Sequence, residues 1–470
     1  MEKKKNQFPS TFTIDTYNST TTLAKNDQIK IPIHNGNDIL PEKVYDPYEN
    51  RQLDHPNTFI GALVHLVKSS LGSGILSMPR AFASAGLLVG LFGTIGVGLL
   101  CTHTVHLLVK ASQKMCIKSK TPSLGYAETA EAVFKNGPKQ FQSWSTFAKN
   151  FAEIALVLTY NVGCSVYIVF ISESIQKLVV PYYPPAADDV FGHYIKLMLL
   201  CPLILCCQVR ELKHLVPFSF VANATMAVAF GITLYYTFVK IAHVNIADRT
   251  MVNGIEGVPV FFSTVIFAME GIGTIMPVEN SMVMDKFVGC PGVLNMGMSV
   301  IVTVFAAMGS FGYVAFGDKT EATITQNLPS EDIMAQVVQA SISTSVFFTF
   351  MLQYYVPTDI TMRRLRPLVP QRHLPVAEVI ARALLVVSIV AIAAAAGHHL
   401  GPLIDLAGSI FLATLGFLVP ALLDIIVNWG DWGRYNYILV KDLLLCMFSL
   451  FGTASGAFYA IKGFAGGQES

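Results

Sequence analysis

The chain has 470 residues, of which 53% are hydrophobic and only 13% charged, against about 25% charged in an ordinary soluble chain. A net charge of +1 gives no basic face for nucleic acid, and eight scattered cysteines do not make a secreted disulfide scaffold. The sequence contains no metal-ligand run and no nucleophile–base pair. The composition therefore implies an all-α polytopic membrane protein, not an enzyme and without a cofactor.

Residues 1–57 hold 7 basic and 8 acidic side chains among Ser, Thr, Asn and Pro. They have no apolar h-region of a signal peptide, and such a composition is expected to form a disordered cytosolic arm. The sequon at Asn18 would lie in that arm, away from the glycosylating enzyme. A bilayer core takes about 20 apolar residues per helix. Eleven such stretches follow, near 59–84, 87–109, 146–178, 193–209, 215–240, 258–282, 292–316, 332–356, 375–397, 401–428 and 437–461. They divide an eleven-helix membrane domain over 58–462 into one half at 58–240, a second at 258–428 and an extra helix at 437–461. A short tail, 463–470, ends the chain. Between the second and third stretches, Leu124–Phe134 has helical spacing with Glu128 and Glu131 on its wet side, as an interfacial helix or a partner-docking one would. Gly401-Pro402 separates the ninth and tenth stretches as a tight helical hairpin.

With the N-terminus in the cytosol, the inner loops hold sixteen Lys and Arg and the outer segments four, at Lys240, Arg249, Lys319 and Lys462. Trp144, Trp429 and Trp432 fall at the same inner interface. Both asymmetries set the orientation.

Two stretches contain what a membrane helix ordinarily avoids. The first reads Lys68-Ser-Ser-Leu-Gly72-Ser-Gly74-Ile-Leu-Ser-Met-Pro79, and the sixth reads Phe267-Ala-Met-Glu270-Gly271-Ile-Gly273-Thr-Ile-Met-Pro277. A glycine pair loosens the backbone and the following proline removes a donor, so both helices are expected to unwind in mid-membrane. Such backbone is tolerated only where it lines a cavity or finds ligands. If stretches one to five and six to ten form an inverted repeat, the first and sixth open its two halves, and matched breaks in corresponding positions point to a transporter's binding site. Helix N-termini at the breaks suit a carboxylate, and the freed carbonyls before them suit an ammonium. The pair fits the zwitterionic head of an amino acid.

The run Ile60-Gly-Ala-Leu-Val-His65-Leu-Val-Lys68-Ser-Ser-Leu-Gly72-Ser-Gly74-Ile-Leu-Ser-Met-Pro79 resembles the first span of the proton-coupled amino acid transporters. Phe267-Ala-Met-Glu270-Gly271-Ile-Gly273, with Pro277-Val-Glu279-Asn280 beyond it, resembles that family's sixth span. The likeness extends over about 55–462 and also takes in Asn136-Gly137-Pro138. It implies the eleven-helix, LeuT-like 5+5 inverted repeat with helices one and six broken. It also implies protons as coupling ion and small neutral amino acids as substrates. Carried over, Ser70, Leu71, Gly72, Ser73 and Gly74 would hold the substrate carboxylate. The carbonyls of Ser69, Ser70, Phe267 and Ala268 would hold the amine, and His65 would couple the proton. The outer loops lack the cysteines that tie those of vertebrate relatives.

Several residues keep two readings. His65 titrates near neutrality but is equally a structural histidine when judged without the resemblance. Glu270, an acid in mid-membrane, either braces the unwound strand beside Gly271, meets the substrate or carries a proton. Tyr160 and Asn161 face the site from the third stretch or simply pack. Lys68 is a gating residue or a packed charge, Asp405 a helix cap or part of an outer gate, and Glu279 and Asn280 are site-related or interfacial. His103 and His106 have a metal-like i, i+3 spacing without a third ligand nearby. The leading expectation is a proton-coupled symporter of glycine, alanine or proline type at the plasma or lysosomal membrane. The alternative is an amino-acid sensor that reports through a cytosolic signalling partner.

Overall fold

The computed structural model describes residues 45–53, 56–209, 216–269 and 271–466. Glu270, residues 1–44 and the last four residues lie outside the described residues. Among the described residues, regular structure is helical, apart from one isolated parallel bridge between Asn57 and Met282. Ten helices are long and apolar enough to cross a bilayer, and eleven when a bent pair counts as one.

Span one is that pair, Phe59–Ser70 and Ser73–Ala85, bent by 46°. Spans two to five are Leu87–Ser119, Ser145–Val179, Asp189–Cys206 and Val216–Ile241. Span six comprises Val258–Ala268 and Ile272–Asn280. Spans seven to eleven are Val293–Phe316, Ile333–Leu365, Leu374–Ala395, Leu400–Val427 and Tyr437–Gly466. The connections place residues 45–57, 120–144 and 281–292 on one face, called here the N-terminal face. Residues 180–188, 242–257, 317–332 and 396–399 lie on the opposite face.

Burial separates an inner ring from an outer one. The apolar windows of spans three, six, seven and ten are 72%, 53%, 61% and 61% buried, whereas those of spans four, five and eleven are 22%, 17% and 28% buried. The outer helices therefore present apolar side chains to lipid, and the broken ones lie inside, where protein can satisfy loosened backbone.

Span ten departs from α-helical winding. Its first helical segment, Leu400–Leu406, passes into wider i→i+5 turns over Ala407–Leu412 and Thr414–Leu418. The cause is a close approach: a Cβ on Gly408 would lie 2.0 Å from the Ser263 carbonyl oxygen of span six. Backbone thus meets backbone there, and widened turns accommodate the offset.

The helix expected near 124–134 forms at Tyr126–Asn136 and buries Tyr126, Ala127, Thr129, Ala130 and Val133. The Tyr126 hydroxyl donates to the Leu415 carbonyl at 2.6 Å. Glu128 and Glu131 sit on the other side, paired with Arg363 at 3.5 Å and Lys149 at 2.8 Å.

Three expectations change. The arm over 1–57 is not disordered throughout: residues 45–53 pack on the N-terminal face, and Arg51 is buried. The turn between spans nine and ten falls at Ala396–His399, with Gly397 at φ +60°, and Gly401-Pro402 lies inside the first turn of span ten. Neither Met-Pro marks a break. Pro79 opens the second helix of span one, where a missing N–H costs nothing, and Pro277 sits within Ile272–Asn280.

Candidate functional site

The first break follows from its residues. The Leu71 N–H closes the helix onto the Val67 carbonyl at 2.9 Å, Gly72 is extended, and Ser73–Ser77 forms a tight 3-10 turn before the helix resumes at Met78. In span six, helix ends at Ala268 and resumes at Ile272, where the Thr274 hydroxyl donates back to the Gly271 carbonyl at 2.8 Å.

The two breaks touch. A Cβ on Gly74 would lie 2.7 Å from the Ala268 Cα and 3.1 Å from its carbonyl oxygen, and one on Gly271 would lie 3.1 Å from the Ser70 Oγ. The Thr274 and Ser69 hydroxyl oxygens lie 3.1 Å apart, and the Ser69 hydroxyl donates to the Leu66 carbonyl at 2.8 Å. Span three reaches the same place: the Tyr160 hydroxyl occupies the position beside Gly273 where a Cβ would be 1.8 Å away. Gly72, in contrast, has nothing within 4 Å of its Cβ position.

The structure thus gathers Ser69, Ser70, Gly74, Ala268, Gly271 and Tyr160. Leu71, Gly72 and Ser73 are half-buried in the first break, and Phe267 is buried at the second. Asn161 is buried on span three, and its Oδ1 accepts no hydrogen bond. His65 is half-buried about one turn and a half before the end of the first helix, whereas Lys68 is exposed and so does not pack as a buried charge. Among the described residues no group of three His, Cys, Asp or Glu could hold a metal ion, His103 and His106 included.

Two ion pairs flank the breaks. Towards the opposite face, Arg80 donates to both Asp405 oxygens at 3.0 and 2.7 Å, and the Thr264 hydroxyl donates to the same carboxylate at 2.7 Å. This joins the second helix of span one, span ten and span six about one turn outward from Ala268. Asp405 therefore bridges three spans and is not simply a cap. Towards the N-terminal face, Arg51 donates to both Glu279 oxygens at 3.1 and 3.0 Å, to the Glu279 and Met282 carbonyls at 2.8 Å each and to the Pro122 carbonyl at 3.0 Å. Tyr48 donates to Glu279 at 2.8 Å, and Gln113 of span two donates to the Tyr48 hydroxyl at 2.6 Å. Burial and the adjacent Glu279 carboxylate push the Tyr48 hydroxyl well above its ordinary pKa, so it remains a donor. Glu279 is 1% exposed and Asn280 7% exposed, which corrects the interfacial reading of both.

Arg51 and Arg80 were not singled out from sequence. Arg80 carried a signal, a charge immediately after a mid-span proline; Arg51 had none, because it lies in a polar tail.

Residues 55–462 match the family model described as transmembrane amino acid transporter protein. A Drosophila melanogaster protein named proton-coupled amino acid transporter-like protein pathetic is 36% identical over 420 residues, covering 89% of this chain and 88% of the relative. The Arabidopsis thaliana amino acid transporter AVT3C is 25% identical over 422 residues, covering 85% of this chain and 90% of that protein. A solved structure of MhsT in complex with L-phenylalanine aligns over 88% of this chain and 98% of its own, with a TM-score of 0.48 and 14% identity. The chain is an integral, multi-pass membrane transporter and belongs to the transmembrane amino acid transporter family, the amino acid/auxin permease branch.

Proposed function

We propose that the protein carries small neutral amino acids together with protons, with its N-terminal face in the cytosol, at the plasma or lysosomal membrane. The observation that carries this reading is the contact of the two breaks. Gly74 lies against Ala268 while Gly72 faces open space, so backbone of both spans borders a small volume. N–H groups of Gly72, Ser73 and Gly74 receive the substrate carboxylate, with Ser70 beside them, since the Leu71 N–H already holds the Val67 carbonyl. Carbonyls of Ser69, Ser70, Phe267 and Ala268 receive its ammonium, with Leu71, Gly271, Tyr160 and Asn161 around them. Glu270, assigned to brace the unwound strand, lies outside the described residues.

The same reading makes Arg80–Asp405 an outer closure and Arg51–Glu279 an inner one, with both pairs formed as in an occluded carrier. Alternating access then requires them to break in turn. His65 is the proton-coupling group, one helix turn and a half from the break. The printed name of the Drosophila relative, which assigns proton coupling to that protein, supports the choice of ion.

The test is a competition panel against radiolabelled alanine uptake in expressing cells, run at acidic and neutral external pH. Glycine, alanine and proline should compete, arginine and glutamate should not, and uptake should rise in acid. Potent competition by arginine overturns the site assignment. Binding without net uptake would indicate a sensor in place of a carrier.

A further inference from the structure

The opposite face holds a cavity of about 890 Å³, bordered by Arg80, Glu173, Lys177, Glu321, Gln326 and His398 among others. The Arg80 side of this vestibule is the Arg80–Asp405 closure. Glu173 is the residue that the substrate site leaves unexplained. It lies on span three, 13 residues beyond Tyr160, or about 20 Å further along the helix. Gln326, in the 317–332 loop, donates to its Oε2 in a short contact. Its Oε1 is buried and accepts no hydrogen bond.

An ionised carboxylate with one buried oxygen unmatched is an expensive arrangement. A proton on Oε1 would remove the charge and leave Gln326 donating to a neutral, weaker acceptor. The groups facing this carboxyl are Lys196 of span four, Glu321 of the loop and the Leu400 N–H of span ten. Lys177 and His398 border the wider cavity, as do Asp189 and Arg80, the last already neutralised by Asp405. Lys196 is fully buried, and its Nζ donates to the Gly397 carbonyl at 2.5 Å. One carboxyl thus touches the loop through Gln326, and it provides the counter-charge for the lysine that holds the turn into span ten. Asp405 lies five residues beyond Leu400 on that helix.

We propose that Glu173 is a proton-binding group of the outer vestibule, and that its protonation sets how firmly the 317–332 loop and the start of span ten hold the Arg80–Asp405 closure. This rests on the proton-symport reading and adds a second group to His65. With Glu173 ionised, Lys196 and Gln326 are both held. With it protonated, Lys196 keeps only the exposed Asp189 as counter-charge, and the attachment of span ten weakens.

The experiment measures alanine uptake and alanine exchange against external pH, at matched surface expression, in the parent, Glu173→Gln and Gln326→Glu. The parent should be stimulated by acid. Glu173→Gln, permanently neutral, should bring the ratio of acid to neutral uptake to about one while exchange persists. Gln326→Glu sets a second carboxyl against Glu173 and should move the midpoint of the pH profile up by about one unit. A parent-like ratio in Glu173→Gln, or an unmoved midpoint in Gln326→Glu, overturns the proposal. If Glu173→Gln fails to reach the membrane, the loop variant decides alone. A pH-independent parent refutes proton symport itself and this assignment with it.

Discussion

Gly74 and Gly72 lie two residues apart, yet the structure predicts opposite outcomes for adding one methyl group to each. At Gly74 the new Cβ would be 2.7 Å from the Ala268 Cα and 3.1 Å from its carbonyl oxygen, whereas carbon contacts are comfortable at about 3.5–4.0 Å. Backbone opposes backbone, so no side chain can rotate aside, and the two spans must separate by about 1 Å. Overpacking of this kind costs about 1–3 kcal/mol, which depopulates the closed arrangement roughly 5- to 150-fold. Gly74→Ala should therefore reduce maximal alanine uptake by at least several-fold and lower the unfolding temperature of the detergent-solubilised protein. Gly72→Ala meets nothing within 4 Å and should leave thermal stability unchanged, while raising the KM for alanine because the methyl group occupies the substrate's volume. Both variants are assayed at equal surface expression, by initial uptake rates over a range of alanine concentrations. Parent-like uptake by Gly74→Ala, or a stability loss in Gly72→Ala as large as that in Gly74→Ala, would refute the proposed contact between the breaks.

Removing Arg51 leaves Glu279 buried and unpaired, at a cost of about 3–5 kcal/mol to the state closed on the N-terminal face. Arg51→Ala should then expose Cys116, which is 2% exposed and lies beside this ion pair. In a Cys290→Ser background, because Cys290 is exposed on that face, labelling by a charged thiol reagent added to the N-terminal face should rise several-fold, and the increase should disappear when Cys116→Ser is added; unchanged labelling would show that the pair is no closure. His65→Ala should abolish acid-stimulated uptake and its current while alanine exchange continues. Simultaneous uptake and current recordings against external pH check this, and an unaltered profile with intact current would place the coupling proton elsewhere.

The membrane spans and the two breaks were legible because both are local properties. About 20 apolar residues are needed to cross a bilayer, and Gly-x-Gly inside such a run has few other uses. The closures were legible only on one side of each pair or on neither. Asp405 was noticed as an acid at the mouth of span ten, but its partner Arg80 lies 325 residues earlier in the chain, and no local spacing connects the two. Glu279 resembled an interfacial acid because its partner comes from a segment whose composition matches a disordered tail. Glu173 was not singled out from sequence, and only its buried, unmatched Oε1 distinguishes it. The widened turns of span ten depend on how closely Gly408 approaches Ser263, a distance set by tertiary packing.

The strap formed by residues 45–53 and 56–57 has a mechanical consequence. Asn57 is fixed to Ser281 by its backbone N–H at 2.9 Å and its side-chain amide at 2.8 Å, and Arg51 fixes the strap again at Glu279. When the inner closure opens and Arg51 lets go, the chain from Tyr45 to Asn57 becomes free tether, with a contour of at most about 45 Å. Each transport cycle would then alternately shorten and lengthen the leash on everything that precedes Tyr45. A donor–acceptor dye pair, with one dye near the N-terminus and the other in the loop between spans six and seven, would register this as a change in distance, making the tail a ruler of the carrier's conformation.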